Sequence, residues 1–468
     1  MPEKTKGELL QEKLCYEVKN AGEEMSEQEL AKADGFCEAY KAFLDYAKME
    51  REAVEFAVSV LEERGYRAFE PGKEYKTGDK VYYNNRGKAL IAAVIGKRPL
   101  SDGVKILASH VDSPRVDLKP RPLYEDGKLG YFKTHYYGGI KKYQWGAIPL
   151  SLHGAVVKRD GTLLPVRIGE EEDDPIFCIT DLLPHLSQEQ NKRPLSQGLK
   201  GEELNILIGS RPFKDDKVSE KVKLNLLNLL FQKYGLVEED FLSAELCCVP
   251  AFPARDLGLD RSMIGAYGHD DRVCAYTSLM ALLDLEEIPD YTALVVFADK
   301  EEIGSDGNTG LNSSFLRYFI ADLAAPHGVE ARTVLHHSMC LSADVNASFD
   351  PTFPDVSDKR NACFLNGGVV VTKYTGSGGK GGTNDASAEF MGKVRGIFDD
   401  AKIHWQVGEM GRVDLGGGGT VAKFVSALDV DTVDIGIPVL SMHSPFEVVS
   451  KTDIYDAYLG FGAFLRAE

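Results

Sequence analysis

The sequence predicts an α/β fold in which a mixed sheet, flanked by helices, is interrupted by an inserted β-rich segment. Three observations lead to this expectation. Residues 292–298 (TALVVFA) form a short, apolar, β-branched run, which is typical of a buried strand in a parallel sheet. Apolar side chains recur at helical spacing between residues 43 and 61, before Gly65. From about residue 118, closely spaced glycines and prolines divide the chain into short β-like runs.

The elements before the insertion can be predicted in order along the chain. Residues 1–65 are expected to be helical up to Gly65. Residues 81–83 and 89–95 flank the sequence Asn-Asn-Arg-Gly, which predicts a β-hairpin with glycine in its turn. Residues 104–109 then predict a second buried strand that ends in a polar cluster.

We expect residues 119–253 to form the inserted β-rich domain. Within it, residues 153–158 followed by Asp-Gly-Thr indicate another hairpin. Residues 1–118 and 254–468 then make up one discontinuous α/β domain. The second part of that domain is expected to contain helices over residues 273–285 and from Lys451, and strands at 292–298, 367–371 and 431–438.

Composition excludes several classes of function. The 468 residues carry a net charge of −18, which argues against binding to a nucleic-acid backbone or an anionic lipid surface. No run approaches the ~20 apolar residues of a membrane-spanning helix, and the charged first residues do not resemble a signal peptide. The eight cysteines are scattered without a CxxC pair, so we expect a reducing, cytoplasmic compartment.

Five separate segments end in residues that can bind metal ions: His110, Asp270, the pair Glu301-Glu302, Asp344 and His443. Singly, each has an ordinary interpretation as a surface histidine, a helix cap or a solvated turn. Because active sites in open α/β sheets lie beyond the carboxyl ends of the strands, we expect these segments to meet there. Two imidazoles and several carboxylates suit a two-metal hydrolytic site, and one of the adjacent glutamates is free to move protons.

Six stretches in this order resemble the aspartyl aminopeptidase family of cytosolic zinc exopeptidases: SHVDSP, YGG followed by WG, GHDDR, FADKEEIGS, LSAD and MHSPFE. The resemblance implies a zinc-exopeptidase-like α/β domain interrupted by a β-rich dimerisation domain. It also implies a homo-oligomer, a dodecamer built from dimers, that acts on peptides. Each chain would bind two divalent metal ions, which the family implies to be zinc, with cobalt or manganese as alternatives.

The family pattern also gives each candidate residue a role. One metal ion would be bound by His110 and Asp344 and the other by Glu302 and His443, with Asp270 bridging the two ions. Glu301 would act as general base, and Asp112 would orient His110. His185 would enter a neighbouring subunit's active site, and Lys380 would contact the first side chain of the substrate. The chain departs from the family pattern after YGG and after LSAD. The preferred N-terminal residue is therefore left open between acidic (Asp or Glu) and neutral or apolar.

The predicted function is removal of the N-terminal residue from peptides by a metal-dependent aminopeptidase. A deacylase or carboxypeptidase on the same metal core is the alternative within hydrolases, and a requirement for a free α-amine separates the two. A non-catalytic assembly protein is a third interpretation. Glu301 argues against it, because a scaffold does not need an unliganded carboxylate beside the metal ligands.

Overall fold

The computed structural model of the chain describes residues 4–468 and, within them, three sheets. The α-helices in this range are α1 (Lys6–Leu14), α2 (Ala21–Glu24), α3 (Glu27–Tyr46), α4 (Glu50–Glu63), α5 (Lys221–Tyr234), α6 (His269–Leu283), α7 (Phe315–Ala324), α8 (Ala331–His336), α9 (Ala388–Asp400), α10 (Ala422–Ser426) and α11 (Lys451–Arg466). Across this described range, no helix combines the length and apolar character needed to cross a membrane.

The strands in the described range contribute to the three sheets. They are β1 (Arg67–Ala68), β2 (Lys80–Asn85), β3 (Ala89–Val94), β4 (Val104–His110), β5 (Arg115–Asp126), β6 (Leu129–Tyr137), β7 (Leu150–Val157), β8 (Leu163–Ile168), β9 (Cys178–Ile179), β10 (Ile206–Gly209), β11 (Ala244–Pro250), β12 (Arg255–Leu257), β13 (Met263–Ala266), β14 (Thr292–Ala298), β15 (Met339–Ser342), β16 (Asn346–Ala347), β17 (Val369–Thr372), β18 (Trp405–Val407), β19 (Asp431–Gly436), β20 (Pro438–Leu440) and β21 (Glu447–Ser450).

The largest sheet has nine strands in the order β1-β2-β3-β14-β4-β15-β19-β17-β18. Its centre is parallel, since β14, β4, β15 and β19 run in the same direction. Its flanks are mixed, because β3 pairs antiparallel with β14 and β17 pairs antiparallel with β19. The expected mixed α/β sheet is thus confirmed, and the carboxyl ends of its four central strands lie at one edge.

Both faces of this sheet are covered by helices, as the continuous apolar run of β14 predicts. Ala293, Val295 and Phe297 pack into one core, together with residues of α3, α4, α6 and α11. The alternate side chains of the strand pack into a second core with α7, α8 and α10. The period of two along a strand therefore divides one apolar sequence between two cores.

A second sheet of seven strands, in the order β8-β7-β11-β5-β6-β10-β9, has its own apolar core around Trp145. It begins at Arg115, before the expected boundary at residue 119, and ends at Pro250. One helix, α5, packs on the seven-stranded sheet. Val222 of this helix is buried, and Leu226, Leu230 and Tyr234 follow it at intervals of four residues and pack against the same core. This helix was not predicted from the sequence, although the spacing of Val222, Leu226, Leu230 and Tyr234 indicates one.

A buried polar network joins the second sheet to the start of α4. His153 of β7 lies between two carboxylates, with its Nδ1 atom 2.7 Å from Glu52 Oε1 and its Nε2 atom 2.9 Å from Glu170 Oε1. Lys48 Nζ donates to the same Glu170 oxygen at 2.8 Å. Paired charges therefore connect the second sheet to α4, which packs on the nine-stranded sheet, and pairing is how charged groups are accommodated in an interior. A third sheet of five strands, β12-β13-β21-β20-β16, completes the fold.

Candidate active site

The metal-binding candidates meet at the carboxyl edge of the nine-stranded sheet. His110 is the last residue of β4, and the turn Glu301–Ile303 follows β14. Asp344 comes two residues after β15, at the same edge. Asp270 lies in the first turn of α6, and His443 lies in the loop before β21.

Asp270 occupies the centre of the cluster. Its Oδ1 atom is 3.2 Å from His110 Nε2, and its Oδ2 atom is 3.1 Å from His443 Nε2. One oxygen of a single carboxylate thus faces each imidazole. Asp344 Oδ1 lies 4.0 Å from His110 Nε2, while Glu302 Oε2 lies 3.6 Å from His443 Nε2.

Both imidazoles are held by backbone carbonyl groups on the side away from Asp270. His110 Nδ1 is 3.0 Å from the carbonyl oxygen of Asp112, and His443 Nδ1 is 3.0 Å from that of Gly139. In each histidine the Nδ1–H group donates to the carbonyl oxygen, which leaves the lone pair of Nε2 directed into the cluster. The Asp112 carboxylate, at 3.4 Å from His110 Nδ1, is the more distant acceptor.

The Asp112 carboxylate instead anchors the turn that carries the two glutamates. The backbone N–H of Glu301 donates to Asp112 Oδ1 at 3.1 Å, and that of Glu302 donates to Oδ2 at 3.2 Å. The hydroxyl of Tyr137 donates to the same Oδ2 at 2.8 Å. Burial alone would raise the pKa of Asp112, but its interactions with His110 and Tyr137 outweigh burial and lower it, so the carboxylate stays ionised.

The other carboxylates of the cluster need positive charge near them. Burial and then the charge of Asp270 raise the pKa of Glu302 well above its usual value. Burial and then Asp271 do the same to the pKa of Asp344. Within residues 4–468, the buried Oε1 atom of Glu302 finds no hydrogen-bond partner. A divalent cation would compensate this buried negative charge and would occupy that oxygen.

The side chains present fit a zinc centre. Ligand atoms of His110, Asp270 and Glu302 all lie within 4.8 Å of one another, and so do those of His110, Asp271 and Asp344. Imidazole nitrogen and carboxylate oxygen are ordinary zinc ligands, and they also accept cobalt and manganese.

Glu301 lies beside this set at its accessible side. Its Oε2 atom is 3.9 Å from His110 Nε2, and its side chain is 17% exposed. Burial raises the pKa of Glu301 to about 7, which is the range in which a carboxylate can both accept and release a proton near neutral pH. His443 is 37% exposed, so the cluster opens towards solvent between these two residues.

Two residues of the site were not assigned a role from the sequence. Glu447 is buried and accepts from the backbone N–H groups of Asp270, at 3.0 Å, and His443, at 2.7 Å. Asp271 accepts from the backbone N–H of His110 at 3.2 Å. The signal for Glu447 was its place four residues after His443, within MHSPFE. The signal for Asp271 was its place directly after Asp270.

Two predicted residues lie apart from the cluster. His185 is exposed in the short turn Pro184–Leu186, and Lys380 lies on a loop where its Nζ atom is 3.1 Å from Asp385 Oδ2. Lys380 also lies over the ring of Tyr374, 3.8 Å from its centroid. Within one chain, over residues 4–468, neither makes a hydrogen bond or ion pair with the residues around Asp270.

A mixed α/β sheet with imidazoles and carboxylates converging at its carboxyl edge defines a metal-dependent hydrolase. Comparison with known proteins narrows this class. The family model described as "Aminopeptidase I zinc metalloprotease (M18)" matches residues 43–465. A relative from Clostridium acetobutylicum, described as a probable M18 family aminopeptidase 1, is 47% identical over 97% of this chain and 99% of its own length.

Solved structures agree with the sequence comparison. The crystal structure of an M18 family aminopeptidase from Thermotoga maritima superposes with a TM-score of 0.91 at 42% identity, covering 96% of this chain and 99% of that one. Aminopeptidase I from C. acetobutylicum gives a TM-score of 0.90 at 43% identity, over 97% and 100%. The S. cerevisiae mApe1 dodecamer, at 22% identity and a TM-score of 0.74 over 93% and 96%, is similar in fold alone.

The chain therefore belongs to the M18 family of zinc metallo-aminopeptidases. It is a metal-dependent aminopeptidase and thus a hydrolase, as the sequence predicted, and the expected fold class is confirmed.

Proposed function

We propose that this chain removes the N-terminal residue of peptides at a two-metal centre, with Glu301 as the general base. The observation that carries the proposal is the division of the Asp270 carboxylate, which directs one oxygen to His110 Nε2 and the other to His443 Nε2. A carboxylate placed in this way between two imidazoles suits a bridging ligand. Asp344 on the His110 side and Glu302 on the His443 side would complete the two ligand sets.

Two divalent cations would lower the pKa of a water molecule and polarise the carbonyl group of the scissile peptide bond. The protein's part is proton transfer. Glu301 would accept the proton of the attacking water and deliver it to the leaving amine, a role that suits its place beside His110 with a partly exposed carboxyl group. Asp112 would keep Glu301 in place through the backbone N–H of that residue, in addition to its interaction with His110.

A preference for acidic first residues is the finer part of the proposal, and Lys380 is its basis. The ion pair of Lys380 with Asp385 is about half exposed at both partners. Exposed ion pairs contribute about 0–1 kcal/mol, so a substrate carboxylate could replace Asp385 at little cost. Lys373 also pairs with Asp385, which would keep that aspartate neutralised after the exchange.

We also propose that the chain forms a homo-oligomer, a dodecamer built from dimers, through residues 119–253, with His185 acting in a neighbouring subunit. Four leucine side chains in the segment 182–195, which contains His185, are half or more exposed: Leu182, Leu183, Leu186 and Leu195. An exposed apolar patch of this kind is typical of a protein interface. All eight cysteines lie within residues 4–468 and are unpaired there, which supports the proposed cytoplasmic compartment.

Subunit complementation tests the role of His185. His185→Ala and Glu301→Gln chains should each be inactive alone and should regain activity when their subunits are mixed, because Glu301 and His185 would come from different chains. Light scattering should show that Leu183→Asp disrupts the oligomer, whereas Leu259→Asp, at a fully exposed leucine outside residues 119–253, should not. Full activity in a monomer, or no regain of activity after proven subunit exchange, would contradict the proposal.

The reaction itself is tested with chromogenic aminoacyl substrates. After treatment with a chelator, the protein should be inactive, and added zinc, cobalt or manganese should restore hydrolysis. Substrates with a free α-amine should be cleaved and their N-acetylated counterparts should not. Release of acetate from the N-acetylated substrates would instead indicate a deacylase, and release of their C-terminal group would indicate a carboxypeptidase.

A further inference from the structure

We propose that the segment Tyr137-Gly138-Gly139, which leaves the end of β6 in the seven-stranded sheet, positions both imidazoles of the metal centre. It belongs to neither ligand set, yet it reaches His110 through Asp112 and reaches His443 directly. The inference rests on the proposed metal-binding function of those two histidines. It makes the inserted sheet part of the active site's geometry as well as a surface for assembly.

Tyr137 acts on the first imidazole indirectly, through Asp112, whose carbonyl lies 3.0 Å and whose carboxylate lies 3.4 Å from His110 Nδ1. Its O–H donates to Asp112 Oδ2 at 2.8 Å, the same oxygen that receives the backbone N–H of Glu302 at 3.2 Å. Asp112 is fully buried, so it depends on these donors in place of water. Removing the hydroxyl would leave the carboxylate free to shift away from the glutamate turn and from His110.

Gly139 acts on the second imidazole through its carbonyl oxygen, which lies 3.0 Å from His443 Nδ1. The approach is close, because a Cβ atom at Gly139 would stand 3.3 Å from that nitrogen. At Gly138, where φ is +76°, a Cβ atom would meet Glu302 Oε2 at 3.3 Å. A methyl group at Gly139 would therefore press on His443, and a side chain at Gly138 would press on Glu302 and would also strain a backbone with positive φ.

Arg115 holds the segment in place. Its guanidinium group lies 4.2 Å from the centre of the Tyr137 ring and is itself fixed by two carboxylates. Its Nη1 atom donates to Glu50 Oε2 at 2.7 Å, and its Nε atom donates to Asp117 Oδ1 at 2.8 Å. A planar guanidinium with both edges paired fixes the tyrosine ring better than apolar packing alone. Tyr137 is thus presented to Asp112 in one orientation.

Tyr137→Phe is the direct test, because it removes the hydroxyl and keeps the ring on Arg115. Zinc affinity, measured by competition with a chelator, should fall roughly 10-fold, the lower end of the effect of removing groups that orient metal ligands. In the cobalt-substituted protein, the visible absorption bands should shift. In hydrolysis of aminoacyl substrates, kcat should fall roughly 10-fold while KM stays within about twofold.

Tyr234→Phe is the matched control. Its hydroxyl also donates to one acceptor of the inserted sheet, the carbonyl of Arg167 at 3.1 Å, without a link to the cluster. It should keep the zinc affinity and the cobalt spectrum of the wild type. A second variant, Gly139→Ala, should also weaken zinc binding, because the added methyl group displaces His443.

Wild-type zinc affinity and an unchanged cobalt spectrum in folded Tyr137→Phe would overturn the role of Tyr137, and the same result in Gly139→Ala would overturn that of Gly139. If Tyr137→Phe does not fold, Gly139→Ala decides the proposal by itself. Zinc binding does not depend on turnover, so these outcomes are distinct from failure of the proposed function. That failure would appear as wild-type protein that binds zinc but cleaves no aminoacyl substrate.

Discussion

The carboxyl edge of the nine-stranded sheet and the inserted seven-stranded sheet contribute to the same site in different ways. The edge contributes side chains that can bind cations or move protons, such as His110, Glu301 and Asp344. The inserted sheet contributes a hydroxyl group and a carbonyl oxygen, from Tyr137 and Gly139. Chemistry and geometry are thus assigned to separate parts of the chain, and mutations in the two parts should have different kinetic and metal-binding consequences.

The largest effect is expected at the edge, where Glu301→Gln should lower kcat by about 10²–10⁴. Glutamine has nearly the same shape but cannot accept a proton from water, so metal content and melting temperature should stay those of the wild type. Steady-state kinetics combined with metal analysis measures both. Wild-type turnover in the purified variant would show that the base lies elsewhere.

Asp270→Asn tests the centre of the cluster. We expect it to lose more metal than Asp344→Asn, because Asp270 faces both imidazoles whereas Asp344 approaches one of them. Metal analysis after gel filtration gives the number of ions per chain. If Asp270→Asn still bound two ions per chain, Asp270 would not be a bridging ligand. The contribution of the sheet edge to metal binding would then have to come from the other candidate ligands.

Lys380→Met should have a smaller and selective effect, because its loop lies apart from the cluster. Loss of one charged hydrogen bond should cost about 1–3 kcal/mol on Asp and Glu substrates and little on Leu and Ala substrates. Lys373→Met is the control, since Lys373 pairs with the same Asp385. An equal loss on all four substrates would leave Lys380 without a role in specificity.

The smallest effect concerns the polar network between the sheets. Burial lowers the pKa of His153, but hydrogen bonds with Glu170 and Glu52 outweigh burial and raise it above the usual value. A raised pKa in the folded state means that His153 stabilises the protein fully below its unfolded pKa of about 6.5, and that this contribution is lost as pH rises through the folded value.

Melting temperatures of wild type and His153→Gln should therefore differ most near pH ~6 and converge as the pH increases. His336→Gln is the control, because the pair of His336 with Asp429 is exposed and its loss should change the melting temperature little. A constant difference between wild type and His153→Gln would mean that the imidazole does not titrate in this range.

The sequence predicted the parts of the molecule that follow from local patterns. The run TALVVFA indicated β14 at the bounds observed, and the polar residues at the ends of the strands indicated candidate metal ligands at one edge. The carboxyl ends of neighbouring parallel strands lie at the same edge of a sheet, so the sequence alone predicted that His110 and the Glu301-Glu302 pair lie close together.

The remaining contacts depend on how distant segments fold back. Tyr137 reaches Asp112 across two sheets, and nothing in the spacing of 25 residues indicates a hydrogen bond. Glu447 could be noticed as an acidic residue near His443, but one of its two backbone partners lies in α6 and the other in the loop before β21. Helix α5 differs from these contacts, because its apolar residues have helical spacing in the sequence itself. It was missed because the glycines and prolines of the surrounding region led us to expect only β-structure there.

The close approach of Gly139 to His443 limits how the enzyme could be reduced in size. An engineer who removed the strands from Arg115 to Pro250 to obtain a minimal, single-sheet catalyst would also remove the carbonyl that orients one imidazole. A shortened version would have to graft a three-residue bridge with the same path, including the two glycines, onto whatever loop replaced the deleted strands. Miniaturisation of this fold is therefore a problem of loop design before it is one of stability.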